Sequence, residues 1–330
     1  MRWPRASLPG IVVLLAGACA GPAGGNDGRL RVVATVSPIT NIVQNVGGDR
    51  VRVTGIVPEG SDSHTFEPAP TDARVLAEAD AVFVNGLNLE LPTMALARSN
   101  VRTGVPVVAL GEATVEPGEY IYDFGFPEAE GDPNPHLWTN PPFARRYAEI
   151  VRDTLSRLDP AGAPEYEANQ DAFADRIEEL DRLVRTVTAT VPPGNRRLLT
   201  YHDSFPYFAR EYGWEIIGAV QPSDFSDPTP REVAALIDQI RDARVPAIFG
   251  SEVFPSPVLE EIAAATGAEY VDDLRDDDLP GSPGDPEHSY LGLMVFDFRT
   301  FMGALGGDVS AFDALDVSDV AGRGSAEYRG

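Results

Sequence analysis

Along this chain, apolar residues come in two spacings that alternate. Short runs of adjacent or every-second apolar positions predict strands, and runs at three- and four-residue steps predict helices. Leu30 to Val36 is a strand-like run. Ser37-Pro38 then opens a helix carrying Ile39, Ile42, Val43 and Val46, which Gly47-Gly48 closes. Val51 to Val57 predicts a second strand, and the loop from Pro58 to Pro70, rich in Pro, Gly, Ser and Asp, follows it. Ala73 to Ala79 predicts a helix and Ala81 to Val84 a strand. The second half repeats this order. Arg197 to Tyr201 is a strand, Phe205 to Tyr212 a helix closed by Gly213, and Trp214 to Val220 a strand. A loop from Gln221 to Pro230, a helix from Arg231 to Ala243 and a strand from Ala247 to Phe249 complete the match. The joints into the two later helices are alike as well: Glu67-Pro68-Ala69-Pro70-Thr71 against Asp227-Pro228-Thr229-Pro230-Arg231.

Between the halves lies Pro164 to Val191, with no Gly or Pro after its first residue. Tyr166, Phe173, Ile177, Leu180, Val184 and Val187 share one helical face, and Asp175, Glu178, Glu179, Asp181 and Arg182 lie mostly on the other. Pro164 suits a first helical turn, and Pro192-Pro193-Gly194 ends the helix. At ~1.5 Å per residue it is roughly 40 Å long. Strand–helix alternation implies parallel sheets covered by helices. The expected fold is therefore α/β, with two similar lobes, residues 29–160 and 195–305, joined by one long rigid helix over 164–191. Residues 306–330 are left as an acidic tail. Such sheets bind ligands at the carboxyl ends of their strands, so the cleft between those ends is the expected site.

The amino-terminal residues read as targeting sequence. Arg2 and Arg5 precede a short apolar run, Ile11 to Leu15, and then Ala16-Gly17-Ala18-Cys19. This resembles a bacterial lipoprotein signal over residues 1–18, cut before a lipid-bearing Cys19, with Ala16 where that signal usually has Leu. Residues 19–28 would be a flexible tether. Cys19 is the only cysteine, which excludes a disulfide framework and a thiolate metal site. The 330 residues suffice for two medium domains. The net charge is −25, or −27 without Arg2 and Arg5, and every basic residue is Arg. A surface this acidic does not track nucleic acid phosphates, and it gathers cations only weakly once salt screens it. No other apolar run is long enough to cross a membrane.

The chain has four histidines. His64 lies in the loop after the second strand, His136 in Asn134-Pro135-His136-Leu137-Trp138, and His202 directly after a strand of the second half. Neutral imidazole is the commonest metal ligand, and three of them at one cleft edge point to a metal. The run Asp272-Asp273-Leu274-Arg275-Asp276-Asp277-Asp278 offers an oxygen ligand, most of these carboxylates being solvated. Three nitrogens and one carboxylate suit Zn²⁺, with Mn²⁺ admitted by a loose site and a bidentate carboxylate.

At these residues the chain resembles the metal-binding receptors of bacterial zinc/manganese ABC importers, the cluster A-I solute-binding proteins. The resemblance covers nearly all of the expected mature chain. It is carried by Val33-Ala34-Thr35, Asp62-x-His64-Thr65-Phe66-Glu67-Pro68, Ala79-Asp80-x-Val82-Phe83-x-Asn85-Gly86 and Leu89-Glu90. Pro135-His136-x-Trp138, His202-Asp203-x-Phe205, Tyr207-Phe208, Tyr212-Gly213 and Asp277-x-Leu279 before Ser289-Tyr290 continue it. Ser63 stands where the family has Pro. The resemblance implies metal ligands at His64, His136, His202 and Asp277, and His at the third position leans towards zinc. Many zinc members carry a His-rich loop before the second ligand, whereas Glu112 to Asp132 here is acidic and aromatic with no His. The resemblance also implies an ABC permease as partner and a monomer outside the cytoplasm, held to the outer face of the membrane by lipid or periplasmic. Asp277→Ala is expected to abolish tight binding, and Asp276→Ala and Asp278→Ala to change it little. His288 reads as a surface residue, Trp138 and Phe205 as core, and Asp203 or Glu252 as a group that orients a ligand or is simply solvated. Two rival functions stand beside the receptor. A zinc hydrolase needs an open metal position and a general base, and the chain has no His-Glu-x-x-His. The other rival is a surface adhesin, a label some family members carry.

Overall fold

The computed structural model describes residues 27–221, 228–251, 256–275, 277–321 and 326–328. Strands and helices alternate in the first half: β1 (Leu30–Ala34), α1 (Ser37–Gly47), β2 (Val51–Gly55), α2 (Asp72–Glu78), β3 (Ala81–Val84), α3 (Leu91–Asn100) and β4 (Val107–Ala109). α4 (Pro141–Leu158) and α5 (Ala163–Thr190) follow. The second half holds β5 (Arg197–Thr200), α6 (Pro206–Tyr212), β6 (Glu215–Ala219), α7 (Pro230–Ala243), β7 (Ala247–Ser251), α8 (Pro257–Thr266), β8 (Glu269–Leu274) and α9 (Tyr290–Ala304). A last short strand, β9 (Glu327–Tyr328), returns to the first sheet.

The two sheets run β4-β3-β1-β2-β9 and β6-β5-β7-β8, and all their pairings are parallel. Leaving β9 aside, each sheet has its second strand outside its first, then its third and fourth on the other side. The repeat seen in the sequence is thus a repeat of topology. β3 is buried at all four residues, as a parallel strand covered on both faces must be.

α5 is the expected long helix, set one residue earlier than the sequence suggests. Tyr166, Phe173, Ile177, Leu180, Val184 and Val187 are all buried on it. It packs against α1, α4, α6 and α9. One continuous apolar core runs from β1 through α5 to α9, and two smaller clusters lie elsewhere on the sheets. The strands' carboxyl ends therefore sit on one packed frame. Among the described residues no helix is long and apolar enough to cross a membrane. The signal and Cys19 lie outside the described residues.

Candidate metal centre

Each of three histidines stands at the carboxyl end of a strand or in the turn that faces it. His64 is in the loop after β2, His202 is two residues past β5, and His136 precedes α4. Their Nε2 atoms form a triangle with sides of 3.2 Å (His64–His136), 3.1 Å (His64–His202) and 3.0 Å (His136–His202). Among the described residues they are the group of potential ligands whose atoms lie within 4.8 Å of one another. His136 and His202 are buried and His64 is half-buried.

Three ring nitrogens meet this closely only if protons are kept off them. Asn134 Oδ1 lies 2.9 Å from His136 Nδ1, and Gln221 Oε1 lies 2.7 Å from His202 Nδ1. An amide oxygen only accepts, so each Nδ1 carries the proton and each Nε2 presents its lone pair to the centre. Asn134 is itself held: its Nδ2 donates to the Asp203 carbonyl at 2.6 Å, and its own carbonyl accepts from the Tyr207 hydroxyl at 3.0 Å. Burial first, then the neighbouring imidazoles, hold His64 and His136 well below the ordinary imidazole range. A neutral, preformed set of nitrogen donors suits a soft or borderline dication.

The walls are apolar. The Trp138 ring lies 5.0 Å from that of His136, and Phe126 lies 5.6, 5.8 and 6.2 Å from His64, His136 and His202. Trp138 and Phe205 are buried in the core, as expected. Phe126 comes from the acidic loop, so that loop reaches the site through a phenyl ring. Asp123 in the same loop lies against Asp203, and burial and the Asp203 carboxylate push it up to about 9. Asp203 is 2 % exposed and accepts from the Gly125 N–H at 3.1 Å; it is therefore neither solvated nor the group that orients His202. That part falls to Gln221, and for His136 to Asn134. Neither was expected. Asn134 could have been noticed two residues before His136, but nothing in the sequence points to Gln221.

A third layer lies beneath. Asn85 donates to the Pro135 carbonyl at 2.9 Å, next to His136, and accepts from the Tyr147 hydroxyl at 2.8 Å. Glu90 holds the Asn85 turn, accepting from the Thr35 hydroxyl at 2.6 Å, the Asn85 N–H at 2.6 Å and the Gly86 N–H at 3.2 Å. Burial pushes its carboxyl up to about 7.

Asp277, the expected carboxylate, is three residues past β8 and buried, outside the close group of histidines. Asp272 and Asp273 are exposed, as expected. Asp276 and Glu252 lie outside the described residues. Asp278 is not a solvated neighbour: it is 7 % exposed and its Oδ2 accepts from the Gly60 N–H at 2.6 Å, which ties its loop to the His64 loop. His288 is not a surface residue either. It is buried, with Nε2 3.4 Å from Glu59 Oε1 and Nδ1 3.3 Å from the Pro280 carbonyl. Both were misread because the partners that hold them, Gly60 and Glu59, lie in the loop after β2, far away in the sequence.

Residues 32–304 match the family model described as ZnuA, zinc-uptake complex component A periplasmic. The manganese-binding lipoprotein MntA of Halalkalibacterium halodurans is 26 % identical over 89 % of this chain and 96 % of its own. The iron-binding protein YfeA of Yersinia pestis is 30 % identical over 81 % of this chain and 83 % of its own. Among solved structures, the periplasmic zinc-binding protein TroA of Treponema pallidum superposes with a TM-score of 0.76 at 27 % identity, covering 84 % of this chain and 100 % of that one.

Proposed function

Since the chain belongs to the family of the periplasmic zinc-uptake component A, we propose that it is an extracytoplasmic receptor that takes up Zn²⁺ between its two lobes and delivers it to an ABC permease. The observation that carries this reading is the triangle of Nε2 atoms, with protons directed away by Asn134 and Gln221. With Zn–N bonds of ~2.1 Å, a tetrahedral site needs nitrogens roughly 3.4 Å apart, so the rings have only a few tenths of an ångström to open. Asp277 supplies the fourth ligand and offsets part of the charge. Relatives are named for manganese, iron and zinc, and a third imidazole in place of a second carboxylate favours zinc. The lobes are residues 29–160 and 195–305, linked by 164–191, and lipid on Cys19 anchors a monomer to the membrane. Binding is the whole activity; no bond is made or broken.

Metal analysis of the purified protein, followed by calorimetric titration of Zn²⁺ in competition with Mn²⁺, tests the reading. Zn²⁺ is expected to bind at one site and to outcompete Mn²⁺. Asp277→Ala, which leaves a dication on three neutral rings, should weaken Zn²⁺ by more than the 10–100-fold typical of outer partners. Parent-like binding by Asp277→Ala would remove it from the ligand set, and preference for Mn²⁺ would overturn the choice of metal.

A further inference from the structure

The family match ends at residue 304, and the chain beyond it folds back across the molecule. Phe312, in a tight turn over Val309–Ala314, is 1 % exposed and lies 6.5 Å from the Phe298 ring of α9. Next the chain crosses α5, where Arg176 pairs with Asp316 at 2.9 Å and donates to the Ser318 carbonyl. It then reaches α1. Asn41 and Asn45, one helical turn apart and both buried, donate to Asp319 Oδ1 at 3.0 and 2.9 Å. Asn45 Oδ1 accepts from the Val320 N–H at 2.8 Å, and Asn41 Oδ1 accepts from the Tyr290 N–H at 2.8 Å, at the start of α9. Buried amides are costly unless satisfied, and besides the bonds from Asn45 to Asn41 this pair is satisfied by the returning chain and by α9.

The return ends at the root of the His64 loop. β9 pairs in parallel with β2, Thr54 opposite Glu327 and Gly55 opposite Tyr328, and so covers an edge of the first sheet. The Tyr328 ring lies on Gly55, where a Cβ would collide with it. The ring is set beside Ser37 and Thr40 in the first turn of α1. Gly55 is the last residue of β2, and Glu59 and Gly60 in the loop that follows make the contacts to His288 and Asp278.

We propose that residues 306–321 and 326–328 form a strap across the two halves, and that Tyr328 is a positioning residue that fixes the His64 loop against the loop carrying Asp277. The inference rests on the receptor reading above. Through β2 and α1 the ring holds the start of the His64 loop, and the Gly60–Asp278 bond passes that position to the residue next to Asp277. The strap thus sets the spacing of ligands drawn from both halves without touching the metal.

The test compares the full chain with Tyr328→Ala, Tyr328→Phe and a chain ended after Ala321. Release of Zn²⁺ is followed by stopped flow into excess chromogenic chelator, and melting of the metal-free proteins is followed by circular dichroism. Tyr328→Ala and the shortened chain are expected to release Zn²⁺ on the order of tenfold faster, the scale of an outer-shell effect. Tyr328→Phe, which keeps the ring on Gly55, should stay near the parent. If metal-free melting falls in Tyr328→Ala while release is unchanged, the strap only covers a sheet edge and the positioning role is wrong. If Tyr328→Phe releases as fast as Tyr328→Ala, the ring is not what positions the loop. A parent that holds no metal would overturn the receptor reading itself.

Discussion

Burial and hydrogen bonding decide what each polar residue near the site does, and sequence shows that only where the residue type is rare. Three of four histidines stood out because the chain has so few, and they meet. Asn134 and Gln221 did not, because an amide becomes an orienting group only through its place in the fold. Glu90 was visible as part of a motif, but its ionisation was not. Its carboxyl titrates at about 7 in the folded protein against 4.5 for the ordinary group. Between those values the folded state keeps a proton that the unfolded chain has released, so stability falls as pH rises through that window. The shift is worth on the order of 3 kcal/mol. Glu90→Gln cannot ionise and lacks this slope. The parent's advantage over Glu90→Gln in urea denaturation should therefore be larger near pH 5 than near pH 8. An equal difference at both would show that Glu90 is not held protonated.

α1, β3, α5, α6 and α7 were legible almost to the residue, whereas α4 was not singled out although it buries Ala144, Tyr147, Ala148, Val151 and Leu155 at helical spacing. α3 and β4 were not singled out: α3 buries only Thr93, Met94 and Ala97, and β4 is three residues long and half-buried. β9 could not be read at all, since two residues carry no period and their pairing with β2 is set by the return of the chain. The two loop-to-helix joints look alike in sequence yet cap differently. Thr229 accepts from the Glu232 N–H and its own N–H donates back to Glu232, whereas Asp72 accepts from the Ala69 N–H at 2.8 Å. α5 gives the element-scale prediction. Ile177, 1 % exposed, packs in the continuous core, so Ile177→Ala should cost roughly 2–5 kcal/mol in chemical denaturation. Glu178, on the opposite face and 3.7 Å from Arg145, makes only an exposed ion pair, so Glu178→Ala should stay within about 1 kcal/mol of the parent. Similar costs for both would mean that α5 is not the buried beam described here.

At the scale of the whole molecule, two sheets of equal topology could unfold separately if each had its own core. Each does keep a smaller cluster of its own, but the largest is shared: residues of β1, α5, α6 and α9 belong to one apolar cluster, and α9 starts with a hydrogen bond to α1. A shared core predicts one cooperative transition, with far-UV and near-UV signals melting together. It also predicts a small change in radius of gyration on metal binding by X-ray scattering, since hinge closure needs an interface that can part. The metal acts on the same equilibrium. The three imidazoles proposed to hold it come from the loop after β2, the segment just past β5 and the turn before α4, which stand together only when both halves are folded, so the unfolded chain has no comparable cluster. At 1,000 times its dissociation constant a ligand that binds only the folded state adds about 4 kcal/mol. Saturating Zn²⁺ should therefore raise the melting temperature while the transition stays single. Two transitions of which only one moves would place the ligands in one separately folding half. An unmoved single transition would mean that the triangle of imidazoles does not hold the metal.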